Sequence, residues 1–226
     1  MCIRDRTHSV LGQIPQREPI QRRLTELWNY PRVSVPQREA GQLFYRRNSG
    51  LQKQAPLYVR AALQAEPKLL LDPNTLSADG SVSLADWSPS PDGRYLAYAS
   101  NEAGQFQIYV RPFPDVETGK WQVSTDGGLR PAWSRNGREL FYTKGSTLIA
   151  VPLQTAGSTF AWGNSVKLFD RPYAAPALER YYDVSPDGKR FLMIKESSPG
   201  DTITTTANMV VVLNWIEELK NRMSAK

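Results

Sequence analysis

The sequence predicts an all-β chain of about four β-propeller-type blades, a partial or open propeller, with short N- and C-terminal helices. Three observations predict it. A motif returns along the chain, as Pro91-Asp92-Gly93-Arg94-Tyr95-Leu96-Ala97-Tyr98, Arg135-Asn136-Gly137-Arg138-Glu139-Leu140-Phe141-Tyr142 and Pro186-Asp187-Gly188-Lys189-Arg190-Phe191-Leu192-Met193. A fainter copy, Glu39-Ala40-Gly41-Gln42-Leu43-Phe44-Tyr45, falls one residue short of register. The glycines Gly41, Gly93, Gly137 and Gly188 lie 52, 44 and 51 residues apart, a spacing that fits repeated supersecondary units.

Each motif reads as a hairpin. Glycine takes φ > 0 without steric cost, and Asp or Asn bonds its own nearby backbone. Asp92, Gly93, Asn136, Gly137, Asp187 and Gly188 are therefore read as structural turn residues. A calcium loop needs several oxygen ligands close together, and each repeat supplies one carboxylate or amide, so no metal site is assigned to them.

In chain order, residues 1–17 read as an irregular leader and 18–30 as a helix, with Ile20, Leu24, Leu27 and Trp28 at helical spacing and Pro31 ending it. The propeller portion spans 31–214, with blades near 32–72, 84–124, 129–170 and 180–214. Leu96 with Tyr98, Leu140 with Tyr142, and Phe191 with Met193 each share a strand face. Second strands follow at Phe106–Val110, Leu148–Val151 and Met209–Leu213, and short closing strands at Trp121–Val123 and Val166–Phe169. The early unit offers Gln42–Arg46, Leu57–Leu63 and Lys68–Leu71. Trp87, Trp121, Trp133 and Trp162 are expected in the blade core. Ser197–Ala207 reads as an exposed loop, and 214–226 as a closing helix and tail with Asn214 as N-cap.

Composition narrows the function classes. No run of about 18 apolar residues exists, so no membrane span is expected. The net charge of +6 is uneven: residues 1–70 hold 12 Lys+Arg against 5 Asp+Glu. The arginines are scattered, without aromatic-rich RNA motifs, so no nucleic-acid partner is expected. A single cysteine, Cys2, excludes an internal disulfide, which is compatible with cytoplasm without establishing it, and the compartment, cytoplasmic or periplasmic, is left open. No cofactor is expected.

Two resemblances follow from longer strings. Residues from about 17 to 100 resemble prolyl oligopeptidase, carried by Leu24-Thr25-Glu26-Leu27-Trp28-Asn29-Tyr30, Asn48-Ser49-Gly50-Leu51-Gln52-Lys53-Gln54, Leu57-Tyr58-Val59 and, most specifically, Leu70-Leu71-Asp72-Pro73-Asn74-Thr75-Leu76-Ser77-Ala78-Asp79-Gly80. The resemblance implies the end of a peptidase domain's N-terminal helices followed by the first propeller blades. From about 101 to 224 the chain is similar to TolB-like, WD40-like propeller repeats at the C-terminus of bacterial serine/threonine kinases and regulators. Ile108-Tyr109-Val110-Arg111-Pro112-Phe113-Pro114, Trp121-Gln122-Val123-Ser124 and Val210-Val211-Val212-Leu213-Asn214-Trp215-Ile216 carry that likeness. The two meet at Ser90–Ser100, which reads as a join, natural or made by assembly. Met1-Cys2-Ile3-Arg4-Asp5-Arg6 is too charged for a signal peptide and resembles a translated adapter from environmental DNA, which favours the artefactual join.

No catalytic residues are assigned. No G-x-S-x-G elbow occurs, the one histidine is His8 in the leader, and a serine without a neighbouring base is a weak nucleophile. Glycine-rich phosphate loops and His-Arg-Asp or Asp-Phe-Gly strings are missing as well, and one Cys with one His cannot build a zinc shell. The leading expectation is a non-catalytic propeller module that binds protein or peptide. The alternatives are the substrate-gating propeller of a prolyl oligopeptidase without its catalytic domain, and the sensor end of a kinase or regulator. Unpaired blade edges make self-association an expected property.

Overall fold

The computed structural model describes residues 3–154, 160–170 and 180–194. The expectations for Ser197–Ala207, Met209–Leu213 and the closing helix lie outside the described residues.

The chain opens with helix α1 (Ile3–Gly12), where the sequence predicts an irregular leader. No proline or interior glycine interrupts this stretch, so nothing in it breaks a helix, and Gly12 with Pro15 marks its end. Helix α2 (Arg17–Trp28) stops where Asn29 donates its N–H back to Thr25 and Glu26, ahead of Pro31. Its apolar stripe of Ile20, Leu24, Leu27 and Trp28 is more than half exposed, and α2 buries no residue.

The rest is a β-propeller array of separate antiparallel sheets. The first holds β1 (Arg32–Val33), β2 (Gln37–Glu39), β3 (Gln42–Asn48), β4 (Leu57–Arg60) and β5 (Lys68–Leu71). The second runs in order through β6 (Leu84–Pro89), β7 (Tyr95–Ser100), β8 (Gln107–Pro112) and β9 (Trp121–Gln122). The third holds β10 (Leu129–Trp133), β11 (Glu139–Lys144), β12 (Thr147–Gln154), β13 (Ala161–Trp162) and β14 (Val166–Asp170). A hairpin of β15 (Tyr182–Val184) and β16 (Phe191–Met193) begins the fourth.

Pairing explains why one motif copy is short. Pro89 pairs with Leu96, Trp133 with Leu140 and Val184 with Phe191, so each of these hairpins spans six loop residues. Glu39 pairs with Gln42, leaving a two-residue loop, Ala40-Gly41, with φ of 47° and 77°. Both loop residues take the left-handed region, as the tight hairpin turn requires.

Faces are assigned in register. Leu96 and Tyr98 point to the first sheet, packing with Phe44, Leu57, Val59 and Leu71. Leu140 and Tyr142 point to the second, with Tyr95, Ala97, Ala99, Ile108 and Val110. Phe191 and Met193 pack against a cluster of Ala132, Phe141, Leu148, Ala150 and Tyr182. Each second strand thus sends one face back to the preceding sheet. In β7 and β11 the other face goes forward, and all six residues of β7 are buried. Of the four tryptophans expected in the blade core, Trp133 is buried and Trp87 and Trp121 are partly buried, whereas Trp162 is 37% exposed and leans on Phe160 at 5.7 Å. Trp162 sits on the two-residue strand β13, at the edge of its sheet among the described residues.

Candidate functional site

Two features organise the chemistry of the array: the three sister turns and a cleft lined by β2, β3 and β6.

In the turns, a serine that precedes each motif does the organising. Ser90, Ser134 and Ser185 each stand two residues before Asp92, Asn136 and Asp187. Ser90 Oγ donates to Asp92 Oδ1 at 2.6 Å, Ser134 Oγ to Asn136 Oδ1 at 2.8 Å, and Ser185 Oγ to Asp187 Oδ1 at 2.5 Å. The same acceptor oxygens receive the backbone N–H of Arg94, Arg138 and Lys189. The serine oxygens in turn accept from the N–H of Tyr95, Glu139 and Arg190, each at 2.9 Å. Gly93, Gly137 and Gly188, with φ of 66° to 70°, donate to the carbonyls of the same serines. The hydrogen bond from Ser185 holds the Asp187 carboxyl below its ordinary value. In all three turns the acceptor oxygen of Asp or Asn is spent inside the turn. Among the described residues no group of three His, Cys, Asp or Glu could hold a metal ion.

The cleft has a volume of ≈ 650 Å³ and draws on Gln37 and Glu39 of β2, Arg46 of β3, Asp86, Trp87 and Ser88 of β6, and Arg180. A second cleft of ≈ 410 Å³ shares Glu39, Ser88 and Arg180 and reaches Ala132, Trp133 and Asp183. Bulges shape the strands here. Pairing of β6 with β7 shifts between Leu84 and Trp87, and that of β10 with β11 between Leu129 and Ala132. A bulge takes backbone carbonyls out of the ladder, and side chains of neighbouring sheets reach them. Arg46 donates through Nη2 to the carbonyls of Leu84 at 2.8 Å and Ala85 at 2.9 Å. Its guanidinium also lies 4.8 Å from the centre of the Trp87 ring. Tyr182 Oη donates to the Arg130 carbonyl at 2.7 Å, and Trp133 Nε1 to the Ser88 carbonyl at 2.8 Å. Burial pushes the Tyr182 hydroxyl pKa up, which keeps it a donor.

Asp86 and Arg46 are the charged groups of the cleft whose ionisation is shifted by burial. Burial raises the Asp86 pKa, against an opposing hydrogen bond from the Trp87 N–H and the attraction of Arg180, Arg46 and Arg130. Burial likewise lowers that of Arg46, with Asp86 acting against it. Two of those arginines are engaged elsewhere, Arg46 on its carbonyls and Arg130 on Thr143 Oγ1 and the Tyr181 ring. A pocket with both charge signs and an indole can hold a peptide's charged and polar groups. It does not supply a nucleophile with an adjacent histidine base, since His8, the one histidine, lies in α1.

The most specific of the sequence strings also has a local task. Asp72 caps a short turn by accepting from the Asn74 N–H. Asn74 exchanges two hydrogen bonds with the Gln54 backbone, and Gln54 Nε2 reaches the Gly80 carbonyl. A Cβ at Gly80, where φ is 67°, would stand 2.3 Å from Lys53 Cδ. The string thus staples the loop between β3 and β4 to the segment leading into the second sheet.

Comparison with known proteins agrees with this architecture. Residues 4–155 match the family described as prolyl oligopeptidase, N-terminal beta-propeller domain. The match crosses Ser90–Ser100, so likeness to prolyl oligopeptidases does not stop where the sequence strings suggest a change of family. A prolyl endopeptidase of Elizabethkingia meningoseptica is 36% identical over 98 residues, 43% of this chain and 14% of that protein. Prolyl oligopeptidase dbiP of Dendrothele bispora is 30% identical over 219 residues, 83% of this chain and 29% of that protein. A solved chain from a study of two prolyl endopeptidases superposes with a TM-score of 0.61 at 25% identity, over 83% of this chain and 29% of that one. Prolyl oligopeptidase B from Galerina marginata shares the fold, with a TM-score of 0.59 at 21% identity. The chain spans less than a third of the length of these relatives, and the part it matches is the propeller, not the hydrolase. On the match over residues 4–155, the chain belongs to the prolyl oligopeptidase family, through its N-terminal β-propeller domain.

Proposed function

We propose that the chain is the propeller portion of a prolyl oligopeptidase, and that it engages peptide at the cleft lined by β2, β3 and β6 without hydrolysing it. The propeller-domain match over residues 4–155 carries this reading. The cleft supports it: Glu39, Arg46, Asp86 and Arg180 offer charges of both signs beside Trp87. Of the expectations drawn from the sequence, it favours the substrate-gating propeller over a general binding module. The sensor reading rests on strings after residue 101, several of which lie within the family match.

The test uses the purified chain and a proline-containing peptide with one basic and one acidic residue. Tryptophan fluorescence is expected to change on titration, and the change to disappear in Trp87→Phe. Mass spectrometry of the peptide is expected to show no cleavage. Hydrolysis by the pure chain would sink the non-catalytic part of the reading. A fluorescence response that survives in Trp87→Phe would move the binding site elsewhere. The isolated chain is also proposed to self-associate, a property supported by the exposed Leu192 on the last described strand and Ile194 just after it.

A further inference from the structure

Asparagine precedes glycine once in this chain, at Asn136-Gly137. Such a step favours attack by the glycine backbone nitrogen on the preceding side-chain amide, because no Cβ hinders the approach. Asn136 is exposed, and no atom lies within 4 Å of a Cβ built at Gly137. The two sister turns hold the product such a reaction would make, Asp92 and Asp187, in the same hydrogen bonds.

We propose that Asn136 is a site of spontaneous deamidation, that Ser134 restrains the reaction in the folded chain, and that the turn accepts the aspartate product. In the chemical step Gly137 N loses its proton to solvent base and attacks Asn136 Cγ. A bond from that nitrogen to Cγ forms and the Cγ–Nδ2 bond breaks. Nδ2 takes a proton from solvent and leaves as ammonia. Water then opens the five-membered imide at either carbonyl, giving aspartate or isoaspartate. No oxidant or reductant is needed.

The restraint is written in three hydrogen bonds. Gly137 donates its N–H to the Ser134 carbonyl at 2.9 Å, so the attacking nitrogen is occupied. Asn136 Oδ1 accepts from Ser134 Oγ at 2.8 Å and from the Arg138 N–H at 2.9 Å, so the carboxamide is held in one orientation. Attack requires the first bond to open and the carboxamide to turn away from the other two. Ser134 is fully buried, and its oxygen also accepts from the Glu139 N–H; the Glu139 carbonyl, at 3.1 Å, is a longer alternative acceptor for the hydroxyl that serves Asn136 at 2.8 Å. Ser134 acts as a positioning residue. Tolerance of the product follows from the other end of the amide. Asn136 Nδ2 makes no hydrogen bond among the described residues, so an oxygen in its place breaks none, and Oδ1 keeps both donors.

The experiment incubates the full chain at mildly alkaline pH and follows the mass gain of the peptide that contains residue 136. Three samples are compared: native wild type, wild type unfolded in urea, and Ser134→Ala, whose melting curve is recorded alongside. Conversion is expected to be slowest in the native wild type, several-fold faster in Ser134→Ala and fastest in urea. Asn136→Asp is expected to melt at the wild-type temperature. Equal rates in native and urea-unfolded wild type would overturn the proposal, as would a folded Ser134→Ala that converts no faster than wild type. A large drop in melting temperature for Asn136→Asp would overturn product tolerance. Should Ser134→Ala fail to fold, the native-against-urea comparison and Asn136→Asp still decide.

Discussion

The Tyr182 hydroxyl donates to the Arg130 carbonyl at 2.7 Å, tying the fourth sheet to the bulge in the first strand of the third. Arg130 itself sits at φ 57°, unusual for a side-chain-bearing residue. The bond comes from across a sheet interface, so it stabilises a local kink by a distant contact.

Tyr182→Phe keeps the ring in its cluster and deletes only this donor. A net hydrogen bond is worth about 1 kcal/mol. The variant is expected to unfold at lower urea with an unchanged slope, as measured by near-ultraviolet circular dichroism.

Arg46→Lys is expected to cost more. One Arg46 nitrogen serves two carbonyls while the planar guanidinium covers Trp87. A lysine ammonium cannot reproduce that flat fork. Loss of the charged hydrogen bonds is worth about 2 kcal/mol, and the Trp87 emission is expected to shift in the same variant.

Asp86 sets a pH dependence with a definite sign. Its folded pKa is raised above the ordinary 3.8, chiefly by burial, so the folded chain binds the proton more tightly than the unfolded one. The ionised group therefore subtracts stability above the raised value. The loss fades as pH falls through that value and vanishes below the ordinary one. Asp86→Asn is expected to melt above wild type at neutral pH, with the gap closing in acid. Asp79, Asp170 and Asp187, whose pKa values are lowered by hydrogen bonds, lose their contribution as pH falls. They are common to both proteins and cancel in the difference. A gap that widens in acid would contradict this account.

Ala40→Gly is expected to stabilise the chain. Ala40 is exposed at φ 47°, where a Cβ costs roughly 1–2 kcal/mol, partly offset by the greater freedom of glycine in the unfolded chain. A gain of up to about 1 kcal/mol in thermal unfolding is the expected result.

Much of the fold is legible in the sequence because the turn chemistry is local. Asp92-Gly93, Asn136-Gly137 and Asp187-Gly188 announce hairpins, and the apolar residues that follow announce which face is shared. The serines were equally readable, since Ser90, Ser134 and Ser185 recur two places before the Asp or Asn, but a motif begun at the next residue omits them. The cleft is not readable in that way. In Leu84-Ala85-Asp86-Trp87, Asp86 looks like an ordinary polar strand residue, and its burial depends on neighbouring sheets remote in sequence. Arg130 gives no local signal of a left-handed backbone, because that conformation is supported by contacts from Tyr182, Thr143 and Tyr181. The stripe on α2 shows its period plainly, and says nothing of what would cover it.

Strand β7 has no water-facing side: Leu96 and Tyr98 serve one neighbour, Ala97 and Ala99 the other. Most antiparallel strands can lose a neighbour on one face and still present polar groups there. This one cannot. Cutting the chain between two sheets would uncover an apolar ribbon rather than a smaller soluble piece. Truncation products of this chain are thus expected in the insoluble fraction, so the repeat, modular in its sequence, is indivisible as a material.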